Sequence, residues 1–227
     1  VVHNDVKKGG NGGWHDAGDL CQGAHQTGLT LYGMLELTDQ LKKRAGNPGL
    51  LALSSEETKW GLDWWLKTRY PDGYRMVWSL MRTYTDNEIG NLDDVTNQAR
   101  FSPWIVFLSS GIEAYAYEIF YNEDEKLLDQ CLTAAKEDWK SAMAALPPDW
   151  RTTGLTDDPR LKEDLLKLAS WGTVSSLHLY EITGEENYAE VAADFGRIVM
   201  DCQETSFLDG IPITGFFYNT PEKKEIV

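Results

Sequence analysis

The chain has 227 residues, 42% of them apolar, which is enough to bury a core of one or two domains. Its 36 acidic and 21 basic residues give a net charge of −15, which disfavours nucleic acid and anionic membrane surfaces as partners. No run of about 18 apolar residues is present to span a membrane. An uncharged partner such as a glycan fits this charge better.

The first part of the chain predicts a loop followed by a long helix. Residues 1–22 are rich in glycine and polar side chains, and apolar residues then recur at helical spacing over 23–44. The segment 45–49 contains two glycines and a proline, which stop this helix. Three widely spaced cysteines follow no metal-binding pattern and predict buried thiols: Cys21, Cys131 and Cys202.

A second helix is predicted over 56–69. Ser54 and Glu57 have the spacing of a capping box at its start, and its tryptophans occupy more than one face, which is typical of a helix packed between neighbours. The stretch 73–100 has no clean period. Long irregular segments inside a compact domain are often functional.

The remainder of the chain predicts four more helices and hardly any strand. Only short pieces near 73–84 and 210–218 suggest strands, so the fold class is all-α. The predicted helices cover about 103–121, 124–145, 158–182 and 186–203.

A weak repeat connects two of these helices. Tyr117-Glu118-Ile119 ends one helix and Tyr180-Glu181-Ile182 ends another, 63 residues later, each before a short turn and a further helix. Helical hairpins of this length, at about 23–69, 103–145 and 158–203, suit an (α/α)6 barrel. Three hairpins are about half of such a ring.

The acidic segment Gly12-Gly13-Trp14-His15-Asp16-Ala17-Gly18-Asp19 carries the strongest chemical signal. Asp16 and Asp19 are three residues apart with small residues between them, and Gly18 gives the backbone freedom to point both at one spot. Two carboxylates near one water molecule can hold it and accept its proton, as a general base does. A helix cap, a turn or a calcium loop would use the same residue types.

This segment resembles the GGWYDAGD motif of glycoside hydrolase family nine, with His15 where tyrosine is usual. Lys59-Trp60-Gly61-Leu62-Asp63-Trp64-Trp65-Leu66-Lys67 is similar to that family's KWGLDWLLK helix. The segment 181–188 resembles TGDxxY turns, which recur in many helical barrels. The resemblance implies that residues 1–227 are the N-terminal part of a catalytic (α/α)6 barrel.

The resemblance also implies inverting hydrolysis of a β-1,4-glycosidic bond in cellulose or a related plant glycan. Asp19 matches the general base and Asp16 the residue that helps to hold the nucleophilic water. The family's acid is a glutamate near the C-terminal end of the barrel, and no counterpart is found here. We therefore expect the missing C-terminal half of the same protein to be a partner that completes the site. The isolated chain should lack most of the activity.

Three further residues are candidate contacts for a polysaccharide or oligosaccharide substrate. Trp14 is in the motif and can stack on a sugar ring or belong to the core; His15 can reach substrate or be an ordinary polar neighbour. Trp78 lies in the irregular stretch, where it lines a cleft or a surface loop. No cofactor is expected, although calcium at Asn91-Leu92-Asp93-Asp94 is possible.

Four functions remain open on the sequence. The first is a β-1,4-glucan hydrolase, and the second is an exo-acting oligosaccharide hydrolase of the same family. The third is a non-catalytic glycan-binding protein on a degenerate barrel. A polysaccharide lyase is disfavoured by the charge and by the lack of a basic cluster. A polymeric glycan substrate favours a secreted or periplasmic location.

Overall fold

The computed structural model describes residues 1–15, 21–44, 46–79, 96–121, 123, 125–156, 158–208, 210, 213–223 and 225–226. Its main elements are six long helices paired into three hairpins: α1 (Ala24–Arg44) with α2 (Pro48–Lys67), α3 (Pro103–Phe120) with α4 (Glu125–Ala144), and α7 (Leu165–Thr183) with α8 (Glu186–Asp201). Two one-turn helices, α5 (Trp150–Thr153) and α6 (Pro159–Lys162), precede the third hairpin. The predicted all-α class and the three hairpins are confirmed.

The helices α1, α3 and α7 form an inner layer, and α2, α4 and α8 pack on its outer side. Helix α3 is central, because it contacts α1 on one side and α7 on the other. This position explains its composition: every residue of α3 from Ile105 to Ala116 is buried. Helix α8 packs mainly on α7 and is one-sided, with Tyr188, Val191, Ala192 and Phe195 buried.

The three inner helices run parallel to one another. Near their N-terminal ends Gly28 of α1 lies against Leu108 of α3, and near their C-terminal ends Lys42 Nζ donates to Ile119 O at 2.6 Å. Helix α7 also runs parallel to α3, since residues from its start to its end contact α3 residues in the same order along the sequence. All three inner helices therefore present their N-terminal ends on the same side.

Helix α2 begins eight residues before the predicted start. The Asn47 side chain caps it by accepting from the Leu50 amide at 3.0 Å, and Pro48 occupies the first turn, where its missing N–H costs nothing. Ser54 is instead buried inside α2, 2.8 Å from the Thr38 hydroxyl of α1. The capping-box prediction was wrong because the same Ser-x-x-Glu spacing also fits a helix interior.

The predicted helix 158–182 is divided into α6 and α7. The break falls at 163–164, where Asn219 Nδ2 donates to Lys162 O at 3.0 Å and to Glu163 O at 2.8 Å. The C-terminal segment therefore satisfies the carbonyl groups that the interrupted helix leaves without partners.

Four two-residue strands form two antiparallel pairs in the described part. β1 (Val2–His3) pairs with β2 (Val6–Lys7) near the N-terminus, and β3 (Gln22–Gly23) pairs with β4 (Trp78–Ser79). The second pair connects the start of α1 to the segment that follows α2. The prediction of strand near 73–84 is thus confirmed over two residues.

A cluster of buried charged side chains forms around Arg75, in the segment that follows α2. Arg75 is 1% exposed, its guanidinium lies 4.0 Å from the Trp65 ring, and its Nη2 is 3.4 Å from both Glu113 Oε1 and Asp138 Oδ2. Arg69 also binds Asp138, at 2.7 Å. Arg75 is therefore held inside the protein by Glu113 of α3 and Asp138 of α4.

None of the described helices combines the length and the apolarity needed to cross a bilayer. All three cysteines are buried, as predicted.

Candidate active site

The described residues on either side of the acidic segment are held together. Gln22 is 5% exposed, and its Nε2 donates to Gly12 O at 2.6 Å, which joins the entry of the segment to its exit. Asp16 and Asp19 themselves lie outside the described residues, so their catalytic roles stay predictions. Gln22, which follows them in the chain, lies directly before the N-terminal end of α1.

Helix α2 supports the chain that leads into the acidic segment. Three indole N–H groups make this contact: Trp64 Nε1 donates to Gly10 O at 2.8 Å, Trp60 Nε1 to Gly13 O at 3.3 Å, and Trp14 Nε1 to Glu57 Oε1 at 2.7 Å. The two sequence segments that carry the family resemblance are therefore in direct contact. Trp60 makes this contact from the surface, since it is 55% exposed.

Trp14 rests on Gly61 of α2. A Cβ at position 61 would come within 2.1 Å of the Trp14 Cη2 atom, so only glycine leaves room for the ring. Trp14 is half-buried against the core, whereas the next residue, His15, is exposed. Whether either residue contacts a sugar stays a prediction, and the structure gives Trp14 a clear anchoring contact.

Trp78 belongs to an aromatic group at the N-terminal end of the inner helices. It is 43% exposed, lies opposite Gly23 in the β3–β4 pair, and is stacked on His25 with 6.0 Å between ring centroids and 19° between planes. His25 is also 6.2 Å from Trp104, edge to face. Flat, partly exposed rings of this kind are suited to stacking on pyranose faces.

His25 and Trp104 were not predicted to belong to a site. The available signal was positional, because each lies in the first turn of an inner helix, next to the loops. Lys167, near the start of α7, completes the set, with Nζ 5.4 Å from the Trp104 ring centroid.

Metal-binding side chains come together at the other end of the helices. Among the described residues, Glu118, His178 and Glu181 place possible ligand atoms within 4.8 Å of one another. The possible calcium ligands at 91–94 lie outside the described residues.

Parallel inner helices, each followed by an antiparallel outer helix, define this chain as part of an (α/α)6 barrel. The sequence model of Glycosyl hydrolase family 9 matches residues 2–202, and the chain belongs to this family. The chain is 28% identical over 146 residues to Endoglucanase D of Acetivibrio thermocellus, an overlap of 58% of this chain and 23% of that protein.

Two solved structures share the fold. A metagenome-derived glycoside hydrolase family 9 endoglucanase superposes with a TM-score of 0.63 at 22% identity, over 85% of this chain and 36% of that one. An endoglucanase from the termite Nasutitermes takasagoensis gives a TM-score of 0.52 at 18% identity, over 82% and 44%. The chain thus spans less than half of each relative, which agrees with a partial barrel.

Proposed function

We propose that this chain carries the general-base part of an inverting hydrolase of β-1,4-linked glucans. In this proposal Asp19 takes the proton of the attacking water and Asp16 helps to hold that water. The protein acts on a polymer outside the cytoplasm, as a secreted or periplasmic enzyme. Family membership supports the reaction class, and the endoglucanase names of its relatives support the choice of glucan.

The observation that carries the proposal is the support of the acidic segment. Gln22 fixes its exit to Gly12, and the indoles of α2 hold the residues before it. General-base catalysis depends on such support, because a base displaced by about 1 Å loses much of its rate advantage. The same side of the inner helices also offers Trp78, stacked on His25, as a surface for a sugar ring.

An inverting reaction needs an acid as well as a base. The acid protonates the leaving oxygen, and the two carboxyl groups stand about 6.5–9.5 Å apart with the water between them. Residues outside this chain supply the acid in our proposal. The isolated chain should therefore cleave unactivated glucan about a hundred to ten thousand times more slowly than a complete enzyme.

An activated substrate tests the base without the acid. A 2,4-dinitrophenyl β-cellobioside has a leaving group that departs as a stable anion, so it needs no protonation. The chain should release dinitrophenol and the α-anomer of cellobiose, and Asp19→Asn should lower the rate by about a hundredfold or more. Asp16→Asn should lower it less. Absence of turnover, an unchanged rate in Asp19→Asn or a β-anomer product would each refute the proposal.

Binding is tested separately with soluble cello-oligosaccharides. Trp78→Ala should weaken their binding, measured by calorimetry, because it removes the ring face that is proposed to stack on a sugar. Tyr121→Ala removes a ring that is 57% exposed at the C-terminal end of α3, the opposite end of the inner helices, and serves as the matched control. Equal losses in both variants would show that Trp78 is not a sugar contact.

A further inference from the structure

We propose that Glu118, His178 and Glu181 form a binding site for a divalent first-row transition-metal ion such as Zn²⁺. These residues lie near the C-terminal ends of α3 and α7, at the opposite end of the inner helices from the acidic segment. An imidazole nitrogen and two carboxylates leave a fourth position for water, as in many three-residue zinc sites.

The repeat noted in the sequence explains how the two carboxylates meet. Glu118 and Glu181 occupy the same place in the Tyr-Glu-Ile repeats of α3 and α7. Because these helices are parallel neighbours, equivalent positions lie at the same height. Tyr115 and His178 are also 63 residues apart, and their rings stack with centroids 4.6 Å apart and 21° between planes.

The distances are close to those that a bound ion requires. His178 Nδ1 is 2.9 Å from Glu118 Oε1, and all three ligand atoms lie within 4.8 Å of one another. Two ligand atoms each about 2.1 Å from one ion are about 3.0–3.5 Å apart. Glu118 and His178 therefore need almost no movement, and Glu181, which is exposed, closes the site by rotating its side chain.

The ring of His178 is oriented from outside the cluster. Its Nε2 is 3.1 Å from the Tyr32 hydroxyl of α1, and the Tyr115 ring covers one face. Metal-binding histidines usually have such a partner on the second nitrogen, which fixes the ring and its tautomer. In the metal-bound form Nε2–H donates to the Tyr32 oxygen, and the Nδ1 lone pair faces the two carboxylates.

The surroundings have an excess of negative charge. In the part of the chain that the structure describes, no lysine or arginine nitrogen lies within 4 Å of the carboxylates of Glu36, Glu118 or Glu181. These three glutamates surround Tyr32, and their carboxylates repel one another. A dication reduces this repulsion.

Metal titration of the intact chain tests the site. After treatment with a chelator, calorimetry with Zn²⁺ should show one ion bound per chain, and Co²⁺ should give a visible d–d spectrum. Tyr32→Phe should weaken binding about 10- to 100-fold, and loss of the ligand in Glu181→Gln should weaken it further. Far-UV circular dichroism checks that Glu181→Gln, altered at an exposed position, is folded.

Two controls separate this site from other metal ligands. Glu190→Gln changes an exposed glutamate of α8, and His15→Gln changes the exposed histidine beside the acidic segment. Neither should alter the Zn²⁺ affinity. Absence of binding by the unmodified chain, or equal affinity in Glu181→Gln, would overturn the proposal. The readout is independent of glucan hydrolysis, so either proposal can fail without the other.

Discussion

Replacing Gly61 by alanine should destabilise the protein, although the same change in most helices stabilises. The new Cβ would lie 2.1 Å from Trp14 Cη2 and 2.6 Å from Cζ3. A carbon–carbon contact of about 3.5 Å requires the ring to move by about 1.4 Å. That movement also pulls the indole N–H away from Glu57, its acceptor at 2.7 Å.

The magnitude follows from three opposing contributions. Alanine gains about 1 kcal/mol over glycine inside a helix. Overpacking costs about 1–3 kcal/mol, and the lost hydrogen bond costs about 1 kcal/mol. The free energy of unfolding of Gly61→Ala should therefore fall by about 1–3 kcal/mol.

Urea unfolding followed by far-UV circular dichroism measures this difference. Gly33→Ala in α1 and Gly196→Ala in α8 are matched controls, because a Cβ at either position meets no atom within 4 Å. Both should stabilise by up to about 1 kcal/mol. In a Trp14→Ala background, Gly61→Ala should become stabilising too. If Gly61→Ala stabilised the unmodified protein like the controls, the Trp14 ring would not rest on Gly61.

Three other outcomes are expected. Burial raises the pKa of Glu113, so above pH 4.5, the ordinary value, the native state holds a proton that the unfolded chain has lost. The free energy of unfolding therefore declines as the pH rises. Glu113→Gln should flatten that decline, measured by urea unfolding at several pH values. Burial alone would raise the pKa of Glu123, but hydrogen bonds from Lys42 and Lys59 outweigh it and lower the pKa. Glu123→Gln should therefore lower the free energy of unfolding by about 1 kcal/mol or less near pH 7, and should not change it well below pH 4.5. Burial raises the pKa of Cys202 to about 11, so its thiol should react with Ellman's reagent at pH 8 only after unfolding, and rapid labelling of the native protein would contradict this.

The helices were predictable where local patterns and tertiary packing agree. Helices α3, α4 and α8 begin and end within about two residues of prediction, because apolar spacing and flanking turns indicate the same limits. The start of α2 was missed because Asn47 and Pro48 stop one helix and begin the next. Helix-breaking residues show where one helix ends, but they do not show how soon the next helix begins.

The site was predictable only in its linear motifs. The acidic segment and the α2 tryptophans could be recognised from their residue strings. The contact between them could not be predicted, because it is formed by residues 47 or more positions apart in the sequence. The burial of Arg75 was missed for the same reason, because its acids come from α3 and α4. The stacking of Trp78 on His25 depends on the β3–β4 pairing, and a two-residue strand has too short a pattern to predict.

The parallel arrangement of α1, α3 and α7 gives the two ends of the inner layer opposite electrostatic character. Helix N-termini carry partial positive charge and favour anions, whereas C-termini favour cations. Residues 12–15 and 21–23, which flank positions 16–20 in the chain, lie at the N-terminal side, where helix ends favour the ionised form of a carboxylate. Glu118, His178 and Glu181 lie near the C-terminal ends, where the same helices favour a bound cation. One feature of the fold, the common direction of its inner helices, therefore supports both the proposed chemistry and the proposed metal site.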